Sequence, residues 1–189
     1  MIDTALSFLA DQVNAYLIKR TGTELGAVNL GPVVDDRGNW TGPIDTVRLF
    51  LFQIDEERTL RAQMPERTLI GGRDLVMPPP LQVNLVVVFA GRFQHYDQAL
   101  RTLSLILTFF QARPLFTPSD SPALPADIER LALDLISYGP EQMSQMWTCF
   151  GAKHLPSLVY RIRCVVLQDV EPQGSELPIM TVNTTLSGR

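Results

Sequence analysis

The chain has 189 residues, 46% hydrophobic and 19% charged, which is enough apolar material for one well-filled core and too much for a disordered segment. Sixteen Lys and Arg stand against 20 Asp and Glu, a formal charge of -4 without a basic cluster able to track phosphates, so nucleic acid is excluded as a main partner. No apolar run approaches the roughly 18 residues of a membrane span, and the opening MIDTALSFLADQ carries Asp3 and Asp11 where a secretory signal needs a basic end and an unbroken apolar stretch. A soluble chain made in the cytoplasm, with no direct membrane insertion, is expected.

Asp3 is placed to cap a first helix running to Lys19, because Leu6, Leu9, Val13 and Leu17 recur at helical spacing and Lys19 and Arg20 suit its negative end. Gly22 stops it. A short strand is predicted over Ala27 to Val34, followed by an exposed turn at Asp35-Asp36-Arg37-Gly38-Asn39. TVRLFLFQID, Thr46 to Asp55, has β-branched and aromatic residues at both parities, as a strand covered on both sides does. Glu56 to Met77 is charged, contains Pro65 and Gly71-Gly72 and keeps no period, so it reads as a long excursion with a short helical turn at most.

Pro78-Pro79-Pro80 sets an extended approach to the strand Leu81 to Gly91, whose run from Leu85 to Ala90 is apolar on both faces and therefore central. Asn84 is its polar guest, read as a satisfied structural amide. Tyr96 to Gln111 is the best-patterned helix: Tyr96, Leu100, Leu103, Leu107 and Phe110 form one stripe, and Leu105, Ile106 and Phe109 a second. A helix on the outside of a sheet needs one apolar face, so the second stripe must meet either more of its own chain or a neighbouring subunit.

Arg113-Pro114 ends that helix, and Leu115 to Pro125 is an extended, proline-rich loop. Ile128 to Ile136 is predicted as a strand with Leu131, Leu133 and Leu135 on one face, although its charged residues also suit a helix. Pro140 fits the first turn of a helix that turns Met143, Met146, Trp147 and Phe150 inward and closes at Gly151. Leu158 to Asp169 is the last long strand, with Leu158, Tyr160, Ile162, Cys164 and Val166 on one face and Arg161 and Arg163 on the other. Beyond it the tail EPQGSELPIMTVNTTLSGR is loose in composition yet holds the strand-prone pieces Ile179-Met180-Thr181-Val182 and Thr184-Thr185-Leu186, suited to pairing with an open sheet edge on another chain. The predicted architecture is a single α/β (α+β) domain over residues 1–170, a mixed sheet with helices packed on it, and a C-terminal extension or arm over 171–189.

Catalytic groups are scarce. His95 and His154 are the two histidines, both beside element boundaries, and Cys149 and Cys164 are expected to be buried free thiols. Nucleophile-elbow, zinc-protease and phosphate-loop motifs are missing. Gly71-Gly72-Arg73 reads as a turn, Asp35, Asp36 and Asp45 as solvated turn residues without the spacing of a calcium loop, and Ser119-Asp120-Ser121 has no histidine near it in sequence. No cofactor and no metal are expected.

The run PPPLQVNLVVVFAGRFQHYDQALRTLSLILTFFQARPLFTP, Pro78 to Pro118, resembles the most characteristic stretch of the cap, or tail-terminator, family of extracellular contractile injection systems of the antifeeding-prophage and virulence-cassette type. Ser121 to Pro125, Ile128 to Leu131, Glu141-Gln142, Trp147, Gly151 to Ser157 and Tyr160 to Arg163 agree in order and spacing, and the similarity spans Ile2 to Asp169. The resemblance implies a non-catalytic homohexameric ring, distal to the baseplate of a phage-tail-like particle, stacked on the sheath protein and the inner-tube protein and ending their polymerisation. An adaptor module that docks another component or a membrane is the alternative, and an enzyme built on His154 or Ser119-Asp120 a remote third. On the ring reading Leu105, Ile106 and Phe109 are a candidate subunit contact, Arg161 and Arg163 candidate contacts to an acidic partner, and Ile179, Met180, Thr181, Val182 and Leu186 a candidate partner-binding arm.

Overall fold

The structure, a computed structural model, describes residues 1–57, 66–70, 73–77, 81–167 and 174–176, with side chains described for 1–57 and 81–163. Helix α1 spans Ile2–Thr21 and ends on Gly22, whose φ of 71° is the left-handed geometry that closes a helix at little cost to glycine. Asp3 does not cap it. The helix starts two residues earlier, with Met1 in the cap position, and the Asp3 carboxylate inside its first turn accepts a hydrogen bond from the N-terminal amine at 2.8 Å.

Six strands form the main sheet in the order β1-β2-β5-β8-β7-β6: β1 Val28–Leu30, β2 Thr46–Glu56, β5 Leu81–Arg92, β8 Ser157–Leu167, β7 Leu131–Ile136 and β6 Leu115–Phe116. β1 runs parallel to β2 and every other neighbour is antiparallel, so the sheet is mixed and the fold α+β. Helix α2 (Tyr96–Ala112) follows β5 and helix α3 (Pro140–Cys149) follows β7. The two-faced apolar pattern of β5 has the meaning expected of it. Val83, Leu85, Val87 and Phe89 face a core closed by α1 and α2, whereas Val86, Val88 and Ala90 face a smaller one holding Val33, Phe50, Met146, Trp147 and Val159. Rings cross-brace both layers: Phe89 meets Phe110 at 5.6 Å and Tyr160 at 5.9 Å on one side, and Phe50 meets Phe150 edge-on at 5.0 Å on the other.

Four expectations need correction. β1 is three residues long rather than Ala27 to Val34: the chain turns at Gly31, and the Pro32 carbonyl accepts from the Arg48 side chain at 3.0 Å instead of continuing the ladder. β2 is covered on both sides in its first half only. A bulge between Leu51 and Gln53 shifts its register against β5, and Gln53 and Ile54 beyond it are exposed. β7 begins at Leu131, Ile128 being buried ahead of it in a turn closed by its amide on the Pro125 carbonyl at 2.9 Å, and Leu135 at the far end is 52% exposed. Cys149 is exposed, since α3 turns Met146 and Trp147 inward and Cys149 lies on the opposite side of the helix. The Cys164 side chain lies outside the described residues.

The stretch read as an excursion contains a hairpin. β3 (Glu66–Ile70) pairs antiparallel with β4 (Arg73–Met77), and β9 (Gly174–Glu176), within the expected extension, adds to β4 to make a second, three-stranded sheet. Gly71-Gly72 and Pro78-Pro79-Pro80 lie outside the described residues, as do residues 177–189 with Ile179, Met180, Thr181, Val182 and Leu186.

Candidate interaction surfaces

The inner face of α2 draws on both expected stripes. Ile106 and Phe109 are 0% and 4% exposed within the single chain, and with Ala99, Thr102, Leu103 and Phe110 they form the face packed on the sheet. Ile106 has no surface left to lose on assembly and Phe109 keeps only a trace, so both belong to the core of the single chain; Leu105 is half-buried against the same core. Tyr96 and Leu100, assigned to the inner stripe, are instead 67% and 45% exposed. The sequence contains two apolar arcs on one helix. Only the position of α1, which brings Tyr16 within 5.1 Å of Phe109, decides which arc is covered.

Arg161 and Arg163 lie on the β8 face expected of them, but the acid that Arg163 meets is in its own chain: its Nε is 2.5 Å from Asp134 on β7. Asp134 is also the register partner of Arg161. Both members of the Arg163 pair are about half exposed, so it contributes little stability, on the order of 0–1 kcal/mol, while reducing what Arg163 can offer a partner.

Three other cations gather where no motif marks a site. Between the C-terminal halves of α1 and α2, Lys19, Arg20 and Arg113 surround an open groove of about 500 Å³ floored by Tyr16 and Phe109. The Arg20 guanidinium stacks over the Tyr16 ring at 5.3 Å, which holds the charge in place without neutralising it. Among the described residues no acid lines the groove. Lys19 and Arg20 read in sequence as complements to a helix end, and Arg113 as a helix stop; their convergence depends on how two helices cross.

The edges of the main sheet differ from one another. At β1 the Asn14 side chain on α1 accepts from the Val28 amide at 2.7 Å and donates to the Val28 carbonyl at 3.0 Å, taking the place a further strand would occupy. At the opposite edge β6 covers only Leu131 and Ala132 of β7, and the Leu133 amide bonds the Pro114 carbonyl at 2.8 Å. With a period of two, Leu135 is the next residue to present its backbone to that edge, and it has no partner there among the described residues.

Groups that could carry chemistry are spent on structure. Asp35 accepts hydrogen bonds from the Asn39 and Arg37 amides at 2.8 and 2.9 Å, and the bonds from Asn39 foremost hold its carboxyl below the ordinary range. Asp45, at a positive φ of 64°, accepts from the Gln94 amide at 2.8 Å. The Asp120 carboxylate and Ser119 hydroxyl both bond Thr117, closing a local turn. Asn84 gives its amide hydrogen to Glu57 at 2.9 Å. His95 is the exposed residue preceding α2, and the exposed His154 ring lies 5.8 Å from that of Trp147. No three His, Cys, Asp or Glu among the described residues converge as a metal site would require, and no helix among them is long and apolar enough to cross a membrane.

Comparison with known proteins identifies one family and one fold. The model of the Pvc16 N-terminal domain matches residues 4–181. Among solved structures, the sheath/tube terminator of the PVC extracellular contractile injection system in its extended state aligns with a TM-score of 0.71 at 17% identity, over 100% of this chain and 64% of that one. The tube-terminating cap of the anti-feeding prophage aligns with a TM-score of 0.66 at 16% identity, over 98% of this chain and 60% of that one. At such identities the likeness is one of fold, and the chain spans less than two thirds of either protein. No curated protein matches in sequence.

Proposed function

Since the chain belongs to the Pvc16 N-terminal domain family, we propose that it is a non-catalytic cap subunit of a contractile injection system, forming a ring that ends the growth of inner tube and sheath at the baseplate-distal end. The observation that carries this reading is the family match over residues 4–181, nearly the whole described chain, supported by the shared fold of two terminators. Ending a polymer needs one surface that matches the growing end and another that does not repeat it. The two unlike edges of the sheet supply an asymmetry of that kind.

Six-fold closure, assembly in the cytoplasm, and the division into a 1–170 domain with a 171–189 arm are parts of this proposal. The surface offered to an acidic partner ring is the groove of Lys19, Arg20 and Arg113, whose charges have no acid beside them, rather than Arg163 with its Asp134. The test is deletion of this chain from the producing cell and imaging of the particles. Sheaths and tubes of uncontrolled length or with ragged ends are expected; particles of uniform, unchanged length would overturn the reading.

A further inference from the structure

The main sheet has one strand position that is only half filled. β6 occupies the outer place beside β7 for two residues, pairing Phe116 with Leu131 and Leu115 with Ala132, and the Pro114 carbonyl then takes the Leu133 amide. From there the chain turns up into α2, and among the described residues the place beside Leu135 is open. The Leu135 side chain is 52% exposed and stands next to a groove of about 520 Å³, lined among others by Leu107 and Phe110 of α2, Pro114, Leu133 and Tyr160. A strand entering here gains ladder bonds from Leu135 and a pocket for every second side chain, the two requirements of strand addition. At the other edge Asn14 already satisfies both backbone groups of Val28.

We propose that the occupant is the segment 177–189 of a neighbouring copy, laid beside β7 so that it continues the line of β6 and alternate residues of Ile179-Met180-Thr181-Val182 enter the groove. This rests on the ring reading above. The segment fits on three counts. The last described residues are Gly174–Glu176, leaving 13 residues beyond them in a chain of 189. At roughly 3.3 Å per extended residue these reach about 40 Å, comparable with the diameter of a subunit of this size. From Leu177 to Gly188 there is no charged side chain, which suits a groove whose lining carries a single charge, Asp134. Pro178 precedes the strand-prone run and so takes no amide from it. An arm of one copy on the edge of the next joins two different surfaces, so the contact can be passed from copy to copy around a ring.

The experiment uses the full chain with Cys149 and Cys164 replaced by Ser. One preparation carries Leu135→Cys and another carries Cys at position 179, 181 or 182 in turn; the two are mixed and oxidised. Cross-linked heterodimers from at least one of the three positions are expected, together with loss of the oligomer in native mass spectrometry when the chain stops at Glu176. Leu135→Pro, which removes the outward amide while sparing the bonds to β8, is expected to reduce the oligomer by tenfold or more with an unchanged circular dichroism spectrum. Absence of heterodimer cross-links at all three positions, or cross-linking only between two Leu135→Cys chains, overturns the proposal. So does an oligomer that survives truncation, and in that case the ring reading stands. A full chain that stays monomeric at all concentrations overturns both.

Discussion

Asn14 is the most informative single residue to change, because one side chain stands in for a whole missing strand. Its two bonds to Val28, at 2.7 and 3.0 Å and partly buried, are worth about 1 kcal/mol each. Alanine gains back roughly 0.5–0.7 kcal/mol of helix propensity at this site in α1. Asn14→Ala should therefore destabilise the subunit by about 1–2 kcal/mol. Asn14→Asp keeps an acceptor for the Val28 amide but sets a carboxylate against the Val28 carbonyl, so its loss should be at least as large despite the matched shape. Urea unfolding measures this as a lower midpoint at unchanged slope. Hydrogen exchange adds a local reading: the Val28 amide, which points away from β2, should exchange faster in Asn14→Ala by more than the global loss of stability explains. If both variants unfold within about 0.3 kcal/mol of the parent, or if aspartate proves milder than alanine, the clip contributes nothing and the closed edge is not closed by Asn14.

Ile106→Ala, at a site with 0% exposure, should cost about 2–5 kcal/mol in chemical denaturation of the isolated chain, and Leu105→Ala clearly less; equal losses would return Ile106 to the surface. Burial pushes the Tyr160 hydroxyl from its ordinary value of 10.0 up to about 12. The folded protein then holds a proton that the unfolded chain releases, so stability should fall as pH rises from 10 towards 12, and Tyr160→Phe should remove that part of the alkaline slope. Joint reversal of Arg20→Glu and Arg113→Glu should leave folding within about 1 kcal/mol, because neither side chain forms an ion pair among the described residues. Binding to purified tube and sheath should weaken by an order of magnitude or more and lose its sensitivity to salt. Unchanged binding would remove the groove from the interface.

What could be read from the sequence was whatever repeats along one element. β5 announced its central place because no polar residue interrupts Leu85 to Ala90, and α3 was bounded by Pro140 and Gly151, residues whose backbone preferences are local. The faces of α2 could not be assigned in this way. Two apolar arcs on one helix are equivalent until α1 covers one of them, and that crossing is a tertiary fact. The β3–β4 hairpin was missed although a two-residue Gly71-Gly72 connection between Ile70 and Arg73 is a hairpin signal, because the charges around it masked the short apolar runs. The Lys19, Arg20 and Arg113 groove had no signal at all, being assembled from the ends of two helices far apart in the chain.

The pairing of β5 with β8 has a consequence for how the subunit is made. Phe89 finds Leu158 and Leu81 finds Leu167, so α2, β6, β7 and α3 must all be threaded before the middle of the sheet can close. Contacts this distant in sequence carry a loop-closure cost that is paid before they stabilise anything, which slows folding and leaves β5, with its unbroken apolar run from Leu85 to Ala90, uncovered on the nascent chain. A ribosome-bound or truncated chain lacking Ser157–Leu167 has neither a finished core nor a β7 held in place to offer an edge. Late closure thus orders assembly: only a chain synthesised through β8 can complete the sheet and hold its β7 edge in place.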